Sequence, residues 1–306
     1  MGRYVLKRLG AMAITMFFII TITFVLMHAI PGGPFTGEKK LPPAIEEALM
    51  KKYNLDQPMF KQYTNYLGSV LKGDLGPSFK LKGQTVNEII ARSFPASAQL
   101  GSIAIILILL IGVPIGVIAA LKQGTWIDNA VMFLAIAGVT IPSFVIATLM
   151  IYVFSVKLNI LPAARWGTFE QMIMPTIALG AYSLAFVARL TRSTMLEVIS
   201  QDYIRTARAK GLSERVVIFK HALKNALIPI ITYVGPLAAA LLTGSFVVEK
   251  IFAIPGLGRF FVESISNRDY TVIMGVTIFY AVFLVITMLI VDILYAFVDP
   301  RIKFDD

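Results

Sequence analysis

The chain contains no cysteine, which excludes disulfides, zinc–thiolate centres and iron–sulfur clusters. It has only two histidines, His28 and His221, far apart in the sequence, so a histidine-held metal has little basis. Charge is scarce too: Asp, Glu, Lys and Arg make up 15% of the residues, where a soluble domain averages about 25%. No GxxxxGKS or GxxxxGKT phosphate loop occurs, and GxGxxG, HExxH and GxSxG are absent. With two histidines, no Ser–His–carboxylate set can be assembled. The sequence therefore points to no catalytic, cofactor or metal residues, and energy for any transport must arrive from another polypeptide.

Apolar residues are what the chain has in quantity. They form 57% of its 306 residues, and the mean hydropathy is +0.76. One globular core cannot hide that much apolar surface, so the sequence reads as an all-α integral membrane protein. A helix needs about 20 apolar residues to cross the hydrocarbon. Six segments qualify: Leu9–Ile30, Ala96–Leu121, Ile127–Val156, Met172–Leu190, Ala226–Val248 and Val272–Val298. The first has Arg3, Lys7 and Arg8 before it, but its apolar run is too long for a signal peptide and no A-x-A-type cleavage site follows. It reads as a retained span.

The net charge, 28 − 18 = +10, reads first as topology. Its bases are scattered between apolar spans instead of forming a stripe with aromatics, so nucleic acid is not an expected partner. Arg3, Lys7 and Arg8, then Lys122, then the bases of 189–224, then Arg301 and Lys303 all belong on the cytoplasmic side. Both termini are expected inside, with a short tail over 299–306. The opposite side receives Pro31–Pro95, Lys157–Gln171 and Glu249–Thr271. The first of these is long enough to translocate despite its lysines. Pro42–Tyr53 has prolines at a helix start, acids in its first turn and bases in its last. Gln57–Leu71 places Phe60, Tyr63, Tyr66, Leu67 and Val70 at helical spacing. A small amphipathic cap is expected there, with a plain spacer as the alternative.

Prolines interrupt the spans. Pro114 sits between Gly112 and Gly116, Pro142 lies within the third span, Pro229 opens the fifth, and Gly235-Pro236 is expected to break it midway. In lipid such breaks are tolerated where the freed backbone faces protein or a watery cavity. Pro114, Pro142, Gly235 and Pro236 are therefore expected along a path, with close helix packing as the alternative. Asp292 and Asp299 lie close enough to the cytoplasmic end of the last span to be solvated or paired. No proton relay surrounds His28.

The densest charge lies at 189–224, where eight bases face three acids. Asp202–Lys210 reads as a short helix capped by Gly211. Ser213 and Glu214 start a second helix through Lys224, with Val216, Val217, Phe219, Leu223 and Leu227 on its apolar side. Clustered bases near a membrane also suit anionic lipid. The small Thr206, Ala207 and Ala209 argue instead for a tight fit against protein.

The stretch DYIRTARAKGL, Asp202–Leu212, resembles the EAA loop of the membrane subunits of binding-protein-dependent ABC importers. That loop reads EAA, three residues, Gly, nine residues, IxLP. Arg205-Thr206-Ala207 takes the EAA place, Gly211 the glycine, His221 the isoleucine, Leu223 the leucine and Lys224 the proline. Ala207, Gly211 and Leu223 match, while the Glu, Ile and Pro do not, a departure similar to the peptide-importer branch. The salt bridge of the family's glutamate does not carry over to Arg205. Further segments resemble the B-type permease of oligopeptide importers: PGGPFTGE at 31–38, GDLGPSF at 73–79, GVIAALKQ at 116–123, IPSF at 141–144, PGLG at 255–258, NRDY at 267–270 and DILYAFVDPRI at 292–302. PFTGE and GPSF favour the oligopeptide branch over the dipeptide, nickel or glutathione branches.

The resemblance implies a six-helix type I importer bundle in the bacterial inner membrane. It implies a second homologous permease beside this chain, two ATPase subunits carrying ATP and Mg on the cytoplasmic side, an extracytoplasmic peptide-binding protein, and a peptide substrate. Asp202, Arg205, Thr206, Ala207, Arg208, Ala209, Lys210, Gly211 and Leu212 would couple the ATPase to the bundle, with Arg205, Arg208 and Lys210 meeting its acids or carbonyls. The segments 31–95 and 249–271 would meet the binding protein. A secondary transporter working alone fits the interrupted helices too. It lacks an intramembrane ion relay and leaves the basic loop without a task.

Overall fold

A computed structural model describes residues 2–30, 33–35 and 42–298, with side chains described over 8–30, 33–35 and 42–290. Arg3, Lys7, Asp292, Asp299, Arg301 and Lys303 lie outside the described side chains, as does most of PFTGE. Among the described residues there is no strand, only one isolated bridge between Pro77 and Thr85. Five helical stretches are apolar and long enough to cross a membrane, and a bent pair makes a sixth.

The first span is α1 (Gly2–Ala29). Two short helices follow, α2 (Pro43–Lys52) and α3 (Met59–Leu71), as the capping prolines and helical spacing predict. Tyr63 and Tyr66 of α3 pack on Phe24 of α1, while Phe60 points outward. The second span, α4 (Val86–Leu121), begins ten residues before the expected Ala96. A capping box nucleates it early: Glu88 N–H donates to Thr85 Oγ1 at 3.2 Å, and Thr85 N–H donates to Glu88 Oε2 at 2.8 Å. The helix then runs unbroken through Pro95 and Pro114, so Pro114 is no break. Close packing against the fourth span holds it. A Cβ on Gly116 would meet Ala188 O at 2.5 Å and Thr191 Cβ at 2.6 Å.

Pro142 does break its span. α5 (Trp126–Thr140) and α6 (Ser143–Met150), which continues as a π-helical run to Lys157, meet at 103°. The fourth span, α7 (Phe169–Ile199), extends nine residues beyond the expected Leu190, because Thr191, Thr194 and Met195 remain buried against neighbours. α8 (Asp202–Ala209), α9 (Glu214–Val216) and α10 (Leu223–Ala226) form the following loop.

The fifth span, α11 (Ile228–Leu242), opens on Pro229 as expected but passes through Gly235-Pro236 without a break. The interruption comes later, at Thr243–Ser245, where Gly244 takes φ +99°. Beyond that gap α12 (Phe246–Ile251) extends the same apolar span and packs on α6 and α7, burying Val248 and Phe252 with Leu100, Ala147 and Met174. Packing of α12 thus sets the break, and the Gly-Pro pair does not. α13 (Leu257–Asn267) and the last span α14 (Tyr270–Val298) complete the chain, with α14 alongside α1 and α11.

Candidate coupling surface at the loop end

Helix α8 lies across the ends of α4 and α7. Ile204 and Ala207 turn inward onto Val117 and Ala120 of α4 and Met195 of α7, joined by Val217, Ala222 and Ala226. Ala207 is therefore buried in this chain's own core and is not free for a partner. Arg205, Thr206, Arg208, Ala209, Lys210, Gly211 and Leu212 face outward. Asn225 Nδ2 donates to the Tyr203 hydroxyl at 2.7 Å and ties α8 to α10.

The glycine cap is as expected. Gly211 has φ +77°, its N–H donates to Arg208 O at 2.9 Å, and Leu212 N–H donates to Ala207 O at 3.4 Å. This is the Schellman pattern, in which a left-handed residue lets two late carbonyls find donors. Arg208 reaches over that turn to Glu214, with Nε and Nη2 at 2.8 and 3.3 Å from its carboxylate. Asp202 accepts from Arg205 at 3.4 Å in an exposed pair. Lys210 makes no ion pair among the described residues.

The second helix of the loop keeps part of its expected face, with Val217 buried and Leu223 and Leu227 packed on the core, and departs at Val216 and Phe219. Between α9 and α10 the chain takes a π-helical turn, Val217–Ala222. The extra residue of that turn shifts the register, so Val217, Ala222 and Ala226 face inward, spaced five and then four apart. Phe219 and Val216 are left exposed.

An ion pair that sequence reasoning missed lies beside this surface. Asp128, in the first turn of α5 and 2% exposed, receives Arg192 Nε at 2.5 Å and Nη2 at 2.7 Å, plus the Gly124 N–H at 3.0 Å. The bidentate fork fastens α5 to the loop-side end of α7. In sequence, Asp128 looks like an ordinary helix-start acid, and its partner stands 64 residues away.

Of the expected path residues, Pro114 and Gly235 come together. They line an apolar groove of about 570 Å³ between α4, α11 and α14, with Val113, Ile230 and Ile290. Pro236 is exposed and does not line that groove, and Pro142 sits exposed at the α5–α6 bend.

Residues 112–304 match the family described as binding-protein-dependent transport system inner membrane component, and residues 1–105 match its N-terminal membrane component. The chain belongs to this family. It is 52% identical over 99% of its length to the dipeptide transport system permease protein DppB of Bacillus subtilis, covering 98% of that protein. Against the oligopeptide transport system permease protein OppB of Salmonella typhimurium, identity is 46% over 99% of this chain and all of that one. A chain of the MetNI methionine ABC transporter, solved in inward-facing conformations, shares the fold at TM-score 0.54 and 17% identity, over 69% of this chain and 96% of that chain. The protein is thus an all-α, multi-pass inner-membrane permease of the peptide ABC transport type.

In this permease the opposite end of the bundle is held by two buried carboxylates. Glu249, expected at the edge of an outer loop, is fully buried instead. Ser97 Oγ donates to its Oε1 at 2.8 Å and Arg259 N–H to its Oε2 at 3.2 Å, while Leu257 N–H donates to Ser97 Oγ at 2.8 Å. A Cβ on Gly256 would collide with this carboxylate, which accounts for a glycine in PGLG. Asp269 of NRDY receives Ser78 Oγ, Phe79 N–H at 3.1 Å and Lys80 N–H at 3.2 Å, all from the GPSF region. Thr271 Oγ1 donates to Pro77 O at 2.7 Å. Two of the motifs that carried the resemblance are thus hydrogen-bonded to each other.

Proposed function

We propose that this permease forms half of the translocation path of an ATP-driven peptide importer, and that α8 with its Gly211 turn receives the stroke of an ATPase subunit. The observation that carries this reading is the two-sided character of α8. Its inner side is locked to α4 and α7 through Ile204 and Ala207, while its outer side offers Arg205, Lys210 and the Arg208–Glu214 pair. A push on α8 therefore has a short route into α7, which starts at the far end of the bundle and ends two residues before α8.

The basic loops support a cytoplasmic location for α8 and both termini. ATP and Mg belong to the ATPase pair, and a second homologous permease completes the path, with the groove at Pro114 and Gly235 as this chain's share of it. The extracytoplasmic binding protein would dock at the opposite end, where α2, α3 and α13 are exposed. Peptide is the substrate class that both sets of relatives support. Identity of 52% to a dipeptide permease against 46% to an oligopeptide permease does not favour the oligopeptide branch.

The test is reconstitution of the importer in proteoliposomes, reading peptide uptake and ATP hydrolysis together. Arg205→Glu with Lys210→Glu, both on exposed positions, is expected to leave the bundle inserted and hydrolysis running while uptake falls. Ala207→Arg is a poorer probe, since it drives a guanidinium into the core beneath α8. Uptake by this chain without any ATPase would overturn the proposal.

A further inference from the structure

We propose that Asp128 and Arg192 are a positioning pair for transport, locking α5 to the α8-bearing end of α7 so that a displacement of α8 carries α5 with it. This deepens, and rests on, the reading of α8 as the receiver of the ATPase stroke.

The pair stands where three elements meet. Asp128 of α5 accepts from Nε and Nη2 of Arg192 on α7, and from the N–H of Gly124 in the turn that follows α4. The same stretch of α7 is gripped from α8. Met195 packs in one cluster with Ile204 and Ala207, together with Val117 and Ala120 of α4. Arg192 and Met195 are three residues apart, within one helical turn. The fork from α5 and the grip from α8 thus close on a single turn of α7.

Stability alone does not account for charges at this place. The Asp128 side chain is 3% exposed and that of Arg192 24%. The cost of taking such a pair out of water offsets its attraction, and well-packed apolar side chains of similar volume hold two helices at least as well. What the fork adds is direction, because two parallel N–H···O bonds fix distance and orientation together. Elsewhere α5 meets α7 through small side chains, as at Gly138, where a Cβ would meet that of Ala185 at 2.8 Å. Apolar contact of that kind is non-directional.

The bend in the span makes this fastening matter. Ile141 and Pro142 have ψ of 122° and 143°, outside the helical range, and α6 leaves at 103° to α5. A few residues at the end of an element are enough to absorb a hinge motion. Ala147 of α6 packs with Met174 and Ala178, at the other end of α7. Helical continuity with α6 therefore does not hold the tilt of α5. The fork, with the short turn from α4, does.

The experiment uses the reconstituted importer and reads peptide uptake, ATP hydrolysis and one distance. The chain has no cysteine, so Leu134→Cys on α5 with Glu197→Cys on α7, both exposed, take the only two spin labels in it. With Asp128 and Arg192 in place, the α5–α7 separation is expected to be the same with the ATPases open and closed. The probe variant is Asp128→Leu with Arg192→Met, an apolar pair expected to keep the unfolding temperature or raise it. Its α5–α7 separation should change with the ATPase state, and uptake per ATP should fall by about threefold or more. A purely structural pair would be replaced by these apolar side chains without loss of coupling. Full uptake per ATP in the variant, or a separation that shifts with the ATPase state while Asp128 and Arg192 are intact, would overturn the proposal. The second of these outcomes is read without the variant and decides the matter even where the variant folds poorly. Normal uptake by Arg205→Glu with Lys210→Glu would instead remove α8 as the receiver, and the α5–α7 separation would still report on the fastening.

Discussion

At the loop end of the bundle, acids meet cations: Asp128 holds Arg192, and Glu214 holds Arg208. At the other end, Glu249 and Asp269 receive hydroxyl and backbone N–H donors from segments far away in sequence. The two arrangements differ in what they allow. A nest of backbone donors has fixed geometry and cannot be exchanged for a partner's side chain. An exposed pair such as Arg208–Glu214 contributes only about 0–1 kcal/mol and can re-form with another protein's acids or bases at little cost. The buried distal carboxylates therefore hold their shape, while an exposed pair such as Arg208–Glu214 is free to trade contacts. Asp128–Arg192 lies between these cases, an ion pair that is buried enough to act as a fastening.

The sharpest way to break that contrast is at Asp269. Asp269→Ala strands Ser78 and two backbone donors, and a loss of about 4 kcal/mol is expected, read as a large drop in unfolding temperature of the full chain in detergent. A small drop would mean that the distal carboxylates do not hold that end. Next comes Asp128→Asn, which leaves the half-buried Arg192 guanidinium without its counter-charge and should cost about 3 kcal/mol by the same assay. Gly211→Ala places a Cβ on a left-handed residue and should cost about 1 kcal/mol. Its effect on coupled uptake should exceed its effect on unfolding. The smallest change is expected from Glu214→Gln, within about 0.5 kcal/mol, because its partner is exposed. A stability loss at Glu214 as large as that at Asp269 would erase the distinction between the two ends.

Much of this molecule was legible in order along the chain. Apolar runs gave the spans, acids and bases at helix ends gave α2, and Gly211 gave the end of α8. What stayed hidden depends on partners distant in sequence. The Asp269 contact with Ser78 spans 191 residues and the Glu249 contact with Ser97 spans 152, and neither leaves a local pattern. Prolines misled for a related reason. Pro114 and Pro236 carry the same local signal as Pro142, but only Pro142 lies at a bend, since helix packing decides which proline a span absorbs. On α8 the small residue Ala207 suggested a docking face, whereas its neighbours in space are α4 and α7. The π-helical turn at Val217–Ala222 similarly shifted a face that 3.6-residue spacing had assigned.

The length of α7 sets a mechanical ratio. Beyond Pro175 it continues for 24 residues to Ile199, about 36 Å at 1.5 Å per residue. Pivoting such a lever by about 5° sweeps its tip through about 3 Å, the length of one hydrogen bond. On the proposed coupling through α8, a displacement no larger than the contacts that hold it would correspond to a tilt of α7 by only a few degrees.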